Sequence, residues 1–174
     1  YVKDEGKKSE LIFEINFILN KYYNIKNLNF LANKTKIYLS DIKLNKNFEV
    51  EDLKKIKIQT FLNKIKNNDF IINKSNKIII SGEVFDAQPL LKTIYKKSDK
   101  KTFSQKFNSE IKINFDKTLT GTKDDVYNIG MIANINKGSY DKLSLKGNFS
   151  KNEIIEMSLY QVDKDKKTLQ VISD

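Results

Sequence analysis

The chain contains neither histidine nor cysteine. That removes thiol nucleophiles, most zinc sites and the usual general base at one stroke. What remains for chemistry is acids, lysine, hydroxyls and tyrosine. Asp124-Asp125 and Asp163/Asp165 could hold a hard cation, but neither has the ligand count or the glycine of a calcium loop, and both read as solvated turn acids. Thr120-Gly121-Thr122-Lys123 faintly resembles a phosphate loop, yet the spaced Gly-x-x-x-x-Gly-Lys-Ser/Thr pattern is absent and no crossover helix follows it. Carboxylate pairs for hydrolysis must converge in a cleft, and the acids here are scattered. Tyr22-Tyr23 and Phe103/Phe107 could stack bases, though aromatics in such settings more often pack on a sheet face. We therefore expect no enzyme, no catalytic residue, no cofactor and no metal.

The formal charge is +10, and every basic residue is lysine. Sequence-reading of nucleic acid leans on arginine for bidentate contacts, so no nucleic-acid partner is expected. Lysine on solvated outer faces and strand edges accounts for the charge more simply. With 174 residues, 39% hydrophobic and 31% charged, the chain is long enough for a real core. No apolar run is long enough to be a membrane-spanning helix. The start at Tyr1 reads as a position inside a longer parent.

The element order turns on Ser81 to Tyr95. Ile78-Ile79-Ile80 leads in as a β-branched strand; Leu90, Leu91, Ile94 and Tyr95 then recur at helical spacing. Pro89, the only proline, suits the first helical position, and Asp86 stands close enough to cap. A short helix near 89–97 is expected, with Leu90, Leu91 and Ile94 packed on the apolar sheet face as a plug. The polar run Lys96 to Gln105 is expected to be a mobile linker.

On either side the pattern is strand and turn. Leu11 to Leu19 alternates; a bulge near Lys26-Asn27 reconciles Tyr23 and Ile25 with Leu28 and Phe30. Ile37 and Leu39 share a face, and Ile56, Ile58, Thr60 and Leu62 alternate. Turns are expected at Asn33-Lys34, Asn45 to Asn47, Asn67-Asn68 and Lys74 to Asn76. The later block is cleaner. Ile111, Ile113 and Phe115 form one inward series, followed by Tyr127, Ile129, Met131, Ala133 and Ile135. Leu143, Leu145 and Phe149, then Met157 and Leu159, continue it, and Leu169 and Val171 return last. Strands this evenly spaced imply an antiparallel meander. The expected fold is mostly β, a long antiparallel meander curled into an open groove or barrel-like trough. Residues 1–174 are expected to be one β-groove segment: strand block 1–87, helix and linker 88–105, strand block 106–174. Periodicity alone says only that one face is dry; an ordinary filled β core would show the same alternation.

Ser81-Gly82-Glu83-Val84-Phe85-Asp86-Ala87-Gln88-Pro89-Leu90-Leu91 resembles the strand-into-helix signature of the AsmA-like superfamily, in its YhdP-type branch related to TamB. Those proteins often read Gly-x-x-Phe/Leu-Asp-Ala-Arg-Pro-Leu-Leu there; Gln88 stands in the arginine position, so no anion contact is carried over to it. Phe107 to Leu119, Asp125-Val126-Tyr127-Asn128, Leu143 to Phe149 and Thr168 to Asp174 resemble the family's later strands. The likeness covers roughly 77–174. It implies an envelope protein of the periplasm, anchored to the inner membrane through a segment outside this chain. It further implies a curled sheet whose apolar groove passes phospholipid acyl chains between the membranes. The lining would be the inward series named above, from Ile111 to Leu159. The competing expectation is a filled-core β module whose lysine-rich exterior meets an acidic partner or nucleic acid.

Overall fold

Alternating apolar residues between short polar turns leave the chain little choice but extended strands paired side by side. The computed structural model describes residues 9–18, 22–95, 107–149, 153–163 and 166–173. The linker 96–105 lies outside them. Contacts divide the chain into two compact units, Tyr1–Ser75 and Asn76–Asp174.

The first unit holds β1 (Ser9–Ile18), β2 (Tyr22–Ala32), β3 (Thr35–Leu44), β4 (Val50–Asp52), β5 (Lys55–Leu62) and β6 (Ile65–Lys74). Their order is β1-β2-β3-β5-β6, all antiparallel, with β4 paired to the end of β3. The bulge near Lys26 is present: Ile15 pairs with Ile25 and Glu14 with Asn27, which leaves Lys26 as the extra residue. The turn expected at Asn67-Asn68 is instead at Asn63-Lys64, whose φ values of 50° and 67° close a two-residue hairpin between Leu62 and Ile65. Asn67 falls within β6 as a bulged residue, because Thr60 pairs with Asn68 and Phe61 with Lys66. Its amide oxygen accepts from Thr60 Oγ1 at 2.8 Å, and Asn68 Nδ2 donates to the same hydroxyl at 3.0 Å. Asn63-Lys64 and Asn67-Asn68 both offer turn residues, and only the first lies where both strands can pair fully.

The second unit holds β7 (Ile78–Asp86), α1 (Gln88–Tyr95), β8 (Ser109–Leu119), β9 (Val126–Asn136), β10 (Ser139–Asn148), β11 (Ile154–Asp163) and β12 (Lys166–Ser173). The order runs β7-β8-β9-β10-β11-β12, and β12 does not return to close on β7. The chain is thus mostly β and its sheet open, as expected. One pairing departs from the antiparallel meander: β7 and β8 are parallel. A parallel partner cannot be reached by a tight turn, so the chain crosses over through α1. Asp86 Oδ1 accepts from the Gln88 N–H at 3.1 Å and caps the helix, and the Ala87 N–H donates to the Leu119 carbonyl at 2.9 Å.

Burial in the second unit gathers at the two ends of this crossover. Val84, Ala87, Thr118 and Val126 are buried where the chain leaves β7. Ile111, Ala133 and Ile135 are buried where it enters β8. There the Gly138 N–H donates to the Phe107 carbonyl at 3.0 Å and the Lys137 N–H to Asn108 Oδ1 at 2.8 Å.

Candidate functional site

Directly paired residues on neighbouring strands point to the same face of a sheet. Tracing the pairs across the second unit gives continuous apolar rows. The first runs Ile78, Ile111, Ala133, Leu143, Leu159, Leu169. The second runs Ile80, Ile113, Met131, Leu145, Met157, Val171. A third begins with Gly82, Phe115 and Ile129 and resumes with Gly147 and Ile155. Phe85 stacks on Phe115, ring centroids 5.0 Å apart, and closes this row at its upper end.

The rows are driest at one end and open toward the other. Ala133 is 0% exposed and Phe115 5%. Ile113, Ile129, Met131, Leu143, Leu145, Met157 and Leu159 are only half-buried. Leu169 and Val171 are 57% and 56% exposed. Among the described residues no large side chain is fully buried. A face packed against a second layer would bury its large apolar groups along its whole length; this one buries Ile111, Phe115 and Ile135 and leaves its other large apolar side chains half-buried or exposed.

Eleven of the thirteen expected lining residues keep to this face along their strands: Ile111, Ile113, Phe115, Ile129, Met131, Ala133, Ile135, Leu143, Leu145, Met157 and Leu159. Tyr127 does not. Asn128 adopts φ 49°, and the register of β9 against β10 shifts there. This bulge turns Tyr127 out, 40% exposed, with Lys117 Nζ 5.5 Å from its ring centre. Val126 takes the inward place. A Cβ built on Gly147 would lie 2.9 Å from both Ile129 Cγ1 and Val126 Cγ1, so glycine is what lets both side chains lie over β10. Phe149 is half-buried just past the last β10–β11 pair, its N–H donating to the Glu153 carbonyl at 3.0 Å.

The two described positions of the expected helix plug differ. Leu91 is half-buried, but Leu90 is 54% exposed. Neighbouring helical residues project about 100° apart, so two consecutive leucines cannot both face one surface. The side chain of Ile94 lies outside the described residues.

The opposite face is mixed, with ion pairs beside exposed Ile132, Tyr160 and Ile172. Lys146 Nζ meets Glu156 Oε1 at 2.7 Å, and Lys112 and Lys77 approach Glu110 at 3.6 and 3.9 Å. A shallow depression of about 400 Å³ lies there, lined by Ile132, Asn134, Lys142, Ser144, Ser158 and Tyr160, with Leu143 and Leu159 between them in the chain. It forms where the short Ser144–Ser158 pair sits among longer neighbours.

Alternation in the early strands was legible, but its consequence was missed. The first unit carries rows of its own: Phe30, Ile37, Ile58, Phe70 and Leu28, Leu39, Ile56, Ile72. Its polar interruption is the Thr60/Asn67/Asn68 cluster.

Among the described residues the chemical candidates of 117–125 are engaged in local turns and ion pairs. The Thr120 and Thr122 hydroxyls lie 2.7 Å apart and 2.8 and 3.2 Å from the Asp124 carbonyl, and the Thr122 N–H donates to Thr120 Oγ1 at 3.2 Å, so the loop satisfies itself. Asp125 pairs with Lys117 at 3.0 Å, and that hydrogen bond holds the Lys117 ammonium above its ordinary range. Among the described residues no group of three or more acids could hold a metal ion. Burial pushes the Tyr140 phenol up. No family model, curated protein or solved structure matches the chain.

Proposed function

We propose that this chain is a segment of a bridge-like lipid transfer protein, as its resemblance to the AsmA-like superfamily implies. Its apolar face would conduct phospholipid between inner and outer membranes of a Gram-negative envelope. The chain would lie in the periplasm, anchored to the inner membrane through another part of its parent. Acyl chains would lie on the rows, and head groups would stay in solvent at the open side. The observation that carries the reading is the rows themselves: two run unbroken across the strands of the second unit, yet stay half-exposed along most of their length. Each methylene taken from water is worth about 0.8 kcal/mol, so a few contacts per strand hold a chain without a shaped pocket. A lining with few polar groups suits sliding rather than discrimination. No side chain needs chemical activation.

The test uses strand parity. A photo-crosslinker at Ile113, Ile129, Met131 or Leu145 should capture phospholipid; one at Lys112 or Lys146, on the same strands but the opposite face, should not. Met131→Glu should abolish lipid capture while the domain still folds, because Met131 is only half-buried. Equal capture at both parities would sink the reading, as would absence of lipid with outright unfolding of Met131→Glu, the signature of a filled core.

A further inference from the structure

The depression on the mixed face lies inside the sheet, away from its edges, because β9, β10 and β11 each have a paired strand on both sides. Its floor is the directly paired Ser144 and Ser158, and Ile132 pairs with Ser144 from the other side. Two strand spacings, about 10 Å, separate β9 from β11. Ile132, 50% exposed, rises from the first and Tyr160, 42% exposed, from the second. The short serines therefore leave a slot between an aliphatic wall and an aromatic one. Lys142 stands two residues from Ser144 on the same face, paired with Asn134. Among the described residues Lys142 makes no ion pair, and the side chains of Asn134, Ser144, Ser158 and Tyr160 make no hydrogen bond. Their neighbours differ. Lys112 and Lys77 approach Glu110, Lys146 meets Glu156, and Asp141, next to Lys142 in the chain, lies 4.0 Å from Lys167. One positive charge and a set of uncommitted donors thus border a slot with apolar walls.

We propose that this slot binds a small aromatic carboxylate, its ring between Ile132 and Tyr160 and its carboxylate on Lys142. The charge balance asks for a single negative charge: one ammonium lines the slot and no acid does. A phosphate dianion would leave part of its charge unmatched. The walls select a flat body. A planar ring standing on the serines offers one face to the Tyr160 phenol and the other to the Ile132 side chain at once. A volume of about 400 Å³ suits a small ring compound. The Ser144 and Ser158 hydroxyls and the Asn134 amide belong to the same lining and can donate to the carboxylate oxygen that Lys142 leaves open. The slot faces away from the apolar rows, so the inference does not depend on what they bind.

Benzoate titrated into the full chain and followed by amide NMR should give saturable shifts at Lys142, Ser144 and Ser158. Benzamide has the ring without the charge, and acetate the charge without the ring; each should bind at least about ten-fold more weakly. Lys142→Gln should weaken benzoate at least about ten-fold, whereas Lys123→Gln, an equal loss of charge at an exposed position outside the slot, should leave it unchanged. Ser144→Leu fills the floor from an exposed position, so it should block benzoate with an unchanged melting curve. Absence of saturable shifts with benzoate, equal binding of acetate, benzamide or inorganic phosphate, an equal loss in Lys123→Gln, or binding that survives Ser144→Leu would each overturn the proposal.

Discussion

In the first unit each strand from β1 to β6 runs antiparallel to its neighbours; in the second, one connection runs from Ala87 to Asn108 and includes a helix. Both units alternate apolar and polar residues along their strands. Their interiors nonetheless differ. Ile42 and Phe70 are the buried apolar side chains among the described residues of the first unit, whereas the second buries Val84, Ala87, Ile111, Phe115, Val126, Ala133 and Ile135. Hairpins return the chain within one layer and leave the apolar face evenly half-covered. In the second unit burial lies at the end of β7 and the start of β8, which the crossover joins, and at Phe115 within β8. Alternation makes a dry face; connection length decides where that face becomes a core.

The largest effect expected from this contrast is at Ala133. Ala133→Glu places an unpaired charge at a position with 0% exposure and should unfold the second unit, a loss above about 3 kcal/mol. Leu39→Glu, on the half-covered face of the first unit, should cost clearly less in the same thermal melt. Equal losses would mean that the two faces are equally covered.

Phe115→Ala should cost about 3–5 kcal/mol in chemical denaturation, since the ring is 5% exposed and stacked on Phe85. Leu169→Ala, on the same face but at the edge, should stay within about 0.5 kcal/mol. A similar cost at both would remove the gradient from core to open edge.

The helix offers a finer comparison. Leu91→Asp should lower stability by about 1–3 kcal/mol and Leu90→Asp by little, because only Leu91 is half-buried. If Leu90→Asp were the more damaging of the two, the helix would face the other way.

Thr118 tests the crossover in the opposite direction. Its hydroxyl is buried without a hydrogen-bond partner. Thr118→Val keeps the shape and removes the stranded group, and should raise stability by about 1 kcal/mol.

The smallest effect is electrostatic and belongs to the first unit. The hydrogen bond from Lys74 holds the Asp52 carboxyl below the ordinary carboxylate range. For Asp69, burial works the other way and is outweighed by hydrogen bonds from Lys66 and Gln59, so its carboxyl is also held low. A depressed carboxyl means that the unfolded chain binds the proton more tightly. The stability is therefore present above the unfolded value near pH 4 and is lost as pH falls below it toward the folded values. Both pairs are partly exposed, so each is worth less than about 1 kcal/mol after solvent screening. Lys74→Met should flatten the acid limb of the melting profile slightly, and added salt should do the same to the parent protein.

Much of this was written in residue order. The inward series from Ile111 to Leu159, the cap at Asp86 and Pro89, and the bulge at Lys26 all follow from local rules: alternation, capping and a parity mismatch within one strand pair. Those rules act over a few residues, so sequence carries them. What the tertiary structure decided lay beyond that range. The turn went to Asn63-Lys64 rather than Asn67-Asn68 because register is settled by the whole β5–β6 pair. Tyr127 turned out because a left-handed residue at Asn128 reset the parity of β9, a choice that Val126, Ile129 and Gly147 enforce together from two strands. The parallel β7–β8 pair was out of reach for the same reason: its partners are separated by the crossover, and pairing sense depends on where the returning strand docks. Local periodicity determined which residues are dry. Only the pairing of distant strands decided which of them are buried and which stay open.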